Sequence, residues 1–481
     1  MADAPGTYTA IIDRPNGPID LTDTGVLHIV GLAGRGPVDR AVEVRSLDEL
    51  DAVYGPPQPY SGLHNWLRAH FAAGRARAIV ARYVGPGATR ASANISDGTG
   101  TTLVISAKAP GGYGNALAYD IDVSGSGFVL KVFEGARLVE ASGVLEDKHA
   151  ALDWAAAKAK HINLTSGAAS GDPIATGTNQ ALAGGADDRG NATDQHRIAA
   201  LDLFNQDPFG GQVGQVAIAD ATTTAVHDAL GAHGGAFNRW PLRQLPDIAD
   251  AAALISARAL IADVASARRT GELYGSWAVI DGPVPGSTVK VPWAAVQGGL
   301  IAAGDRRDGP SQPAAGDWGI APSIVRDLTH HWSDSDRALL NNAGINVARR
   351  VRGQIKTYGT RTLADPQTDP EWVGVGGARE IMRIRALGDE ILEHYVHKRI
   401  SRESELSQPE GQLRTMLRRE WNGGDGALWG DTEEEAFDVQ LSLDTSTPGR
   451  VALIADLEVK TSEAPERAQL NIAKVYLLEE V

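Results

Sequence analysis

The sequence contains no cysteine among its 481 residues, which excludes disulfide bonds and metal sites built on thiolates. It also lacks any apolar run of the roughly 18 residues that a membrane-spanning helix needs. Residues 1–10 have neither the basic nor the apolar region of a secretory signal peptide. We therefore expect a soluble protein that is not secreted by the general route and has no membrane partner.

Acidic residues outnumber basic ones by 60 to 45, and the net charge is −15. An acidic chain disfavours non-specific binding to nucleic acid, so we expect no nucleic-acid partner. Aromatic residues make up only 6% of the chain, while its 55 glycines indicate many tight turns and close backbone contacts. A local basic face that binds an acidic protein is still compatible with this composition.

The length and the order of predicted elements indicate a multidomain α/β protein. A chain of 481 residues exceeds one ordinary hydrophobic core. Strand and helix patterns alternate over residues 22–85 and 191–330, whereas residues 86–190 are richer in Gly, Ser and Thr and read mainly as strands. Residues Arg379–Arg402 predict one long helix. Its apolar face would carry Ile381, Ile384, Leu387, Ile391 and Tyr395.

The stretch from Asn341 to Leu363, NNAGINVARRVRGQIKTYGTRTL, combines several local signals. Upstream, Ser333 is a typical helix N-cap, and Gly344 is a typical helix stop. After the glycine, alternating apolar residues predict a strand, Arg352-Gly353 predicts a turn, and residues 354–362 predict a second strand. We therefore predict a capped helix that leads into a hairpin.

This stretch resembles the C-terminal half of contractile tail sheath proteins, which form the outer tubes of contractile phage tails and related injection machines. That family shows an LN-x-x-G-I-N-x segment, a WGxRTL segment and an x-W-x-x-V strand, the last matched by Asp369–Val375. Tyr358 stands where tryptophan is usual, and Gly376-Gly377-Ala378-Arg379 replaces the family's paired arginines. The positions that fit the first two segments are Leu340, Asn341, Gly344, Ile345, Asn346, Gly359, Arg361, Thr362 and Leu363.

The resemblance recurs along most of the chain. Pro110–Asn115 is similar to the family's PG-x-W/Y-GN turn, and Gly426–Gly430 is similar to its GAL-x-G segment. The resemblance implies an α/β fold with mixed sheets, a discontinuous core domain, an inserted β-rich outer domain and extended terminal arms. The implied divisions are an N-terminal arm at 1–21, a first core part at 22–85, the outer domain at 86–190, an α/β middle domain at 191–330, a C-terminal core domain facing an inner tube at 331–464, and a C-terminal arm strand at 465–481.

The resemblance also implies a mechanical function with no enzymatic step and no cofactor. Many copies would polymerise around an inner tail tube, meet baseplate and terminator proteins at the ends, and contract to drive the tube through a target envelope. Such a subunit is assembled in the host bacterial cytoplasm and belongs to the virion tail. In the family the arms lend strands to neighbouring subunits. The arm residues that this implies are Tyr8, Ile11, Ile12, Leu470, Ile472, Val475 and Leu477.

A predicted helix over residues 410–421 carries a small basic face. Arg414 and Arg418 are one turn apart on it, and Arg419 lies beside them. One interpretation is a solvated helix face. The other follows from the resemblance, because family members present a C-terminal helix to the inner tube, and these arginines would then contact its acidic surface.

The remaining motifs favour structural explanations over catalysis. The segment Gly31-x-x-Gly34-x-Gly36-Pro37 follows a strand but lacks the Lys-Ser/Thr pair of a phosphate-binding loop. The pairs His394/His397 and His330/His331 have no obvious third metal ligand. The acidic run 431–435 is typical of a capping box. We therefore expect no catalytic, cofactor or metal site.

Three functions stay open on the sequence. The first is a phage tail sheath, and the second is the sheath of a phage-derived tailocin or extracellular contractile injection system. Neighbouring capsid and terminase genes would separate these two. The third is a nucleotide- or metal-dependent enzyme, which a null result for ATP hydrolysis and metal content would dismiss.

Overall fold

The computed structural model describes residues 22–466, apart from 75–76, 126, 177–178, 262–267, 401, 424–425 and 448–450. The chain is a mixed α/β protein with several separate sheets, which confirms the predicted fold class. The implied arm residues lie outside the described residues, and these are Tyr8, Ile11, Ile12, Leu470, Ile472, Val475 and Leu477.

Strands and helices alternate through much of the chain, whereas strands dominate between residues 92 and 181. The described strands are β1 (Leu27–Gly31), β2 (Val42–Val44), β3 (Ala78–Arg82), β4 (Ser92–Ser96), β5 (Thr101–Ala107), β6 (Leu117–Ser124), β7 (Gly127–Glu134), β8 (Arg137–Ala141), β9 (Ile162–Ser166), β10 (Gln180–Ala181), β11 (Gly214–Ile218), β12 (Arg239–Gln244), β13 (Glu272–Tyr274), β14 (Trp277–Asp281), β15 (Thr288–Pro292), β16 (Val325–Leu328), β17 (Ala348–Val351), β18 (Gln354–Thr357), β19 (Phe437–Asp444) and β20 (Ala452–Val459). The described α-helices are α1 (Leu47–Tyr54), α2 (Leu63–Ala72), α3 (Lys148–Ala157), α4 (Asp194–Ala199), α5 (Thr224–Phe237), α6 (Ala251–Ala259), α7 (Trp293–Asp308), α8 (Asp334–Asn342), α9 (Val375–Glu393), α10 (Ser407–Asn422) and α11 (Glu433–Ala436).

A six-stranded sheet holds distant parts of the chain together, in the order β13-β12-β11-β1-β3-β2. β1 pairs in parallel with both β3 and β11, and all five of its residues are buried, as expected for a parallel strand covered on both faces. Leu27 and Ile29 share one buried cluster with residues of α2 and α7, whereas Val30 shares another with residues of α5. Because Leu27 of β1 lies beside Gln215 of β11, the core is discontinuous in sequence.

The strands from β4 to β10 form two smaller antiparallel sheets that share a buried cluster of their own. One sheet has the order β4-β5-β9 and the other β10-β6-β7-β8. The chain enters and leaves this part side by side, since the Gly85 amide donates to the Asp187 carbonyl at 2.9 Å. The buried Arg82 also spans the junction, donating to the carbonyls of Gly36 and Pro110 at 2.9 Å each.

The helix and hairpin predicted around residues 341–363 are confirmed. Ser333 caps α8 by accepting a hydrogen bond from the Asp336 amide at 3.1 Å. β17 and β18 form an antiparallel hairpin, and its turn residues Arg352 and Gly353 both have positive φ, as a two-residue hairpin turn requires. The second strand is shorter than predicted and ends at Thr357.

The predicted strand over Asp369–Val375 is wrong. Pro370–Trp372 is a 3₁₀ turn, and α9 already begins at Val375. Pro370 lacks the N–H that a strand ladder needs and is well placed in the first turn of a helix. Trp372, which the family resemblance placed on a strand, therefore lies on a turn that leads into α9.

The long helix predicted over Arg379–Arg402 is also wrong at both ends, since α9 starts at Val375 and stops at Glu393. The helix ends because the next residues turn back toward α10. Tyr395 is buried, and its hydroxyl donates to Gln412 of α10 at 2.9 Å. This tertiary contact overrides a local sequence that favours helix.

The last part of the described chain packs around α9 and α10. Their shared buried cluster contains Ile384, Leu413, Leu417, Phe437 and Val439. α9 is tied to α7 by a buried ion pair in which Arg379 donates to both oxygens of Asp305, at 2.7 and 2.5 Å. A buried pair needs such a two-bond geometry to offset the loss of hydration.

Candidate assembly interface

β19 and β20 form a two-stranded antiparallel sheet whose pairs run from Phe437↔Val459 to Asp444↔Ala452. Within the described part of the chain, neither strand has a second strand beside it. Open strand edges present rows of N–H and C=O groups that can pair with an added strand. This hairpin is therefore the candidate site of assembly.

The two faces of the hairpin differ in chemistry. At its base Phe437 and Val439 are buried, while Leu441, Leu443 and Leu453 toward the tip are only half-buried. Uncovered apolar side chains in this row can contact alternate residues of an added strand. The opposite face is acidic, with Asp438, Asp444, Asp456 and Glu458.

Arg414 and Arg418 meet at Glu433, so they do lie on one face of α10, but both are already paired within the chain. Arg414 donates to Glu410 at 3.2 Å and to Asp438 at 3.0 Å. Arg418 donates to both oxygens of Glu433 at 2.5 and 3.0 Å, and these hydrogen bonds lower the pKa of that carboxyl. The two arginines therefore hold β19 and α11 against α10.

Arg419 differs from its two neighbours because it is exposed and has no carboxylate partner among the described residues. Its positive charge is directed to solvent at the end of α10. It is therefore the arginine of the predicted basic face whose charge is available to another molecule.

Further cations follow the end of α9 in a segment that we call the basic loop, which is defined by Lys398, Arg399 and Arg402. Lys398 stacks over the Tyr395 ring at 4.5 Å and donates to Gln408 at 3.1 Å. Arg399 and Arg402 are exposed, and no carboxylate in the described ranges pairs with either of them. The sequence analysis missed this loop because it assigned these residues to a helix. The sequence feature that could have identified it is the cluster of three Lys/Arg and two His residues within HYVHKRISR.

The segment that carries the family resemblance has a clear structural role. The Asn346 side chain clamps the backbone of Arg361, donating to its carbonyl at 2.7 Å and accepting from its amide at 3.0 Å. A Cβ at Gly359 would lie 2.7 Å from the Asn346 amide oxygen, so this position needs glycine. Gly344, at φ +72°, makes the turn that places Asn346 beside Arg361. The motif therefore fixes the position of Arg361.

The other candidate motifs have local structural explanations. A Cβ at Gly31 would lie 2.9 Å from Leu63, and one at Gly36 would lie 2.6 Å from Tyr54, so both glycines serve close packing. The predicted capping box is wrong, because Thr432 caps α11 without a side-chain hydrogen bond and Glu435 instead accepts the Asp431 amide at 3.0 Å.

Three of the four histidines in these pairs lie beside polar atoms of the chain. His330 and His331 lie beside Asp247 and Asp327 at 2.9 and 3.3 Å. His394 lies 2.8 Å from the Glu390 carbonyl. Among the described residues no group of three His, Asp or Glu side chains could hold a metal ion. None of the helices that the structure describes is long and apolar enough to cross a membrane.

No protein-family model matches the chain, and no curated protein matches it in sequence. Solved structures do match. A sheath tail protein from Listeria innocua has a TM-score of 0.64 at 12% identity and covers 90% of this chain and 95% of its own. A sheath tail protein from Desulfitobacterium hafniense has a TM-score of 0.56 at 12% identity, covering 94% of this chain and all of its own. The contracted helical sheath of the anti-feeding prophage has a TM-score of 0.57 at 16% identity, covering 98% of this chain and 99% of its own.

These similarities extend over nearly the whole of both chains. At 12 to 16% identity they establish a shared fold. The resemblance inferred from the LNNAGIN and YGTRTL segments is therefore confirmed at the level of structure. The chain has the fold of contractile tail sheath proteins.

Proposed function

We propose that this chain is the structural subunit of a contractile tail sheath, which polymerises around an inner tube and shortens to drive that tube through a target envelope. The observation that carries the proposal is the length of the structural match, which covers 98% of the chain against a sheath in its contracted state. A match confined to the six-stranded sheet would have supported only a common α/β core. Here it includes the C-terminal part with the open hairpin.

Subunits are joined by strand exchange in this proposal. Residues 1–21 and 467–481 of neighbouring copies add strands to the free edges of β19 and β20. Apolar arm residues such as Ile11 and Val475 cover the half-buried leucines of the hairpin. Each backbone hydrogen bond contributes about 0.5–1.5 kcal/mol net, so a strand of a few residues makes a firm connection. Because these connections consist of backbone hydrogen bonds and do not depend on contacts between the bodies of the subunits, they persist while the bodies move.

Contraction needs no fuel at the moment of firing, because the free energy is stored in the extended lattice during assembly. A difference of about 1–2 kcal/mol per subunit between the extended and contracted lattices is sufficient when it is multiplied over many subunits. The absence of a catalytic requirement agrees with the structural roles found for Gly31, Gly36 and the acidic run 431–435.

Negative-stain microscopy of the purified full-length protein tests this proposal. We expect hollow striated tubes or stacked rings, and light scattering should show particles that grow with protein concentration. A compact monomer at every concentration and salt would contradict the proposal. Gene context then decides between a phage tail, with capsid and terminase genes nearby, and a phage-derived tailocin or injection system, which the match to the anti-feeding prophage sheath equally supports.

The partners of such a sheath are an inner tube protein, a baseplate and a tail terminator. We place the tube-facing surface at the exposed cations of the C-terminal part, which are Arg419 and the basic loop. Arg414 and Arg418 belong to the same surface, but their charges are neutralised by Glu410, Asp438 and Glu433. Long-range attraction to an acidic tube would then set the register between the two polymers.

Charge reversal of the exposed cations tests tube contact without breaking an ion pair among the described residues. The triple variant Arg399→Glu, Arg402→Glu, Arg419→Glu should bind the tube about tenfold more weakly at low salt, because each exposed charge pair contributes about 0–1 kcal/mol. Co-sedimentation with the tube protein measures this. The control Arg90→Glu reverses an exposed charge in the β4–β10 part and should bind normally. Unchanged co-sedimentation of the triple variant would contradict the assignment. Reversal of Arg414 and Arg418 should also weaken binding, but it breaks internal ion pairs as well.

A further inference from the structure

The chain that follows β20 returns to the body of the protein instead of leaving the hairpin directly. The Lys460 amide donates to Ala436 O and the Ser462 amide to Ala427 O, both at 2.9 Å. Arg361 then binds Glu466, the last described residue, by donating to its two carboxylate oxygens at 2.8 and 2.7 Å. Residues 461–466 are thus fastened to a surface formed by residues far upstream in the sequence.

Arg361 is well suited to hold this segment because it is itself immobilised. Asn346 fixes its backbone through two hydrogen bonds, and the guanidinium also donates to the Asn341 carbonyl at 3.4 Å. A two-bond contact between guanidinium and carboxylate fixes direction as well as distance. The Arg361 side chain is 20% exposed and that of Glu466 is 38% exposed, so the pair is partly shielded from solvent. The hydrogen bonds from Arg361 lower the pKa of the Glu466 carboxyl.

Glu463 packs against the N-terminus of the 19-residue helix α9. Its carboxylate occupies a slot that exists because Gly374 and Gly377 have no side chains, since a Cβ on either residue would overlap it. Burial there raises the pKa of the Glu463 carboxyl, so the contact is one of close packing. Gly377 belongs to the segment Gly376–Arg379, which stands in place of the paired arginines in the family resemblance.

We propose that Arg361 and the Gly374/Gly377 slot position the C-terminal arm, setting the point from which residues 467–481 leave for the neighbouring subunit. Arg361 acts through Glu466 and is a positioning residue for assembly. This inference rests on the proposed function, because it assigns a role to the resemblance motif within strand exchange. Release of residues 461–466 would add six residues of free chain, or about 20 Å of reach. The longer free chain lowers the effective concentration of the arm at the strand edge of the neighbouring subunit that accepts it.

The test compares Arg361→Gln, Glu466→Gln and the double variant with the wild-type chain. Each should retain its thermal unfolding temperature, be cleaved faster by trypsin beyond residue 466, and require about 3–10-fold more protein to form pelletable tubes. The double variant should behave like either single variant, because both changes break the same contact. Gly377→Ala should have the same effect by displacing Glu463. Glu434→Gln makes the same chemical change at an exposed residue of α11 and should assemble normally.

The outcomes separate this inference from the proposed function. If the wild-type chain forms no tubes, the proposed function fails. If the wild-type chain forms tubes and the three variants at Arg361 and Glu466 have its critical concentration and its protease sensitivity, only the positioning role fails. Loss of thermal stability in parallel with assembly would likewise overturn it, since it would make Arg361 a residue of the fold alone. Additive effects in the double variant would show that Arg361 and Glu466 act independently and would also contradict it.

Discussion

We expect removal of residues 1–21 to yield a subunit that folds normally but forms no tubes at any accessible concentration. The physical reason is that, among the described residues, the buried clusters are built from side chains within residues 26–439. The free edges of β19 and β20, by contrast, have no strand neighbour among the described residues. Size-exclusion chromatography with light scattering, circular dichroism and negative-stain microscopy measure the two properties separately.

The expected loss is large because several backbone hydrogen bonds disappear together. About five ladder bonds at roughly 1 kcal/mol each correspond to more than a thousandfold change in each subunit contact. This exceeds the difference of about 1–2 kcal/mol that contraction itself needs. Without the arm, the lattice cannot hold together in either state. Removal of residues 467–481 should have a comparable effect from the other end of the chain.

Substitutions within the arm provide matched controls for this deletion. Ile11→Asp with Ile12→Asp should reproduce the deletion, since it removes the apolar contact with the half-buried leucines of the hairpin. Asp3→Asn with Asp13→Asn retains those isoleucines and should polymerise like the wild-type chain. Normal tubes from the truncated chain would contradict the arm assignment. A truncated chain that fails to fold would show that residues 1–21 belong to the core instead.

Local signals in the sequence were sufficient for the elements that depend only on near neighbours. The Ser333 cap and the Arg352-Gly353 turn follow from backbone chemistry at a few residues, and both are found as predicted. The end of α9 is different, because it depends on the contact between Tyr395 and Gln412 across 17 residues. A helix-forming local sequence gives no indication of such a contact.

The candidate site shows the same division between local and distant information. That Arg414 and Arg418 share a face follows from helical spacing, but their partners Asp438 and Glu433 lie 24 and 15 residues away. Which cations are neutralised, and which are free, therefore could not be deduced from the sequence. Arg399 and Arg402 were predicted to lie on a helix. They are exposed beyond it, because α9 ends at Glu393. The Asn346–Arg361 clamp supplies a physical reason for the spacing of the two segments that carry the family resemblance.

The packing of α9 against α10 contains a buried acidic pair that makes stability depend on pH. Glu380 is fully buried, and neither of its carboxylate oxygens has a hydrogen-bond donor among the described residues. Burial, and then the negative charge of Glu420, raise its pKa from 4.5 to about 8. The positive charges nearby are committed elsewhere, since Arg379 pairs with Asp305 and Arg383 lies 3.3 Å from Glu420. Glu380 is therefore most stable as a neutral acid.

The direction of the pH effect follows from the protons bound in each state. In the unfolded chain Glu380 loses its proton near pH 4.5, whereas in the folded chain it retains the proton up to about pH 8. Between these values the folded state binds more protons, so the free energy of unfolding falls as the pH rises from about 4.5 to about 8. Below pH 4.5 both states are protonated and the group has no effect.

Glu380→Gln should remove this slope, because glutamine is neutral at every pH and can donate to Glu420. At pH 8 the variant should be more stable than the wild-type chain by a few kcal/mol, since each pKa unit of displacement corresponds to about 1.4 kcal/mol. At pH 4.5 the two should unfold at nearly the same denaturant concentration. Glu390→Gln makes the same change at an exposed position of α9 and should retain the wild-type slope. Urea unfolding between pH 4.5 and 8.5 measures all three proteins. A variant that loses stability at pH 8 would show that Glu380 is charged in the folded state and held there by Arg383.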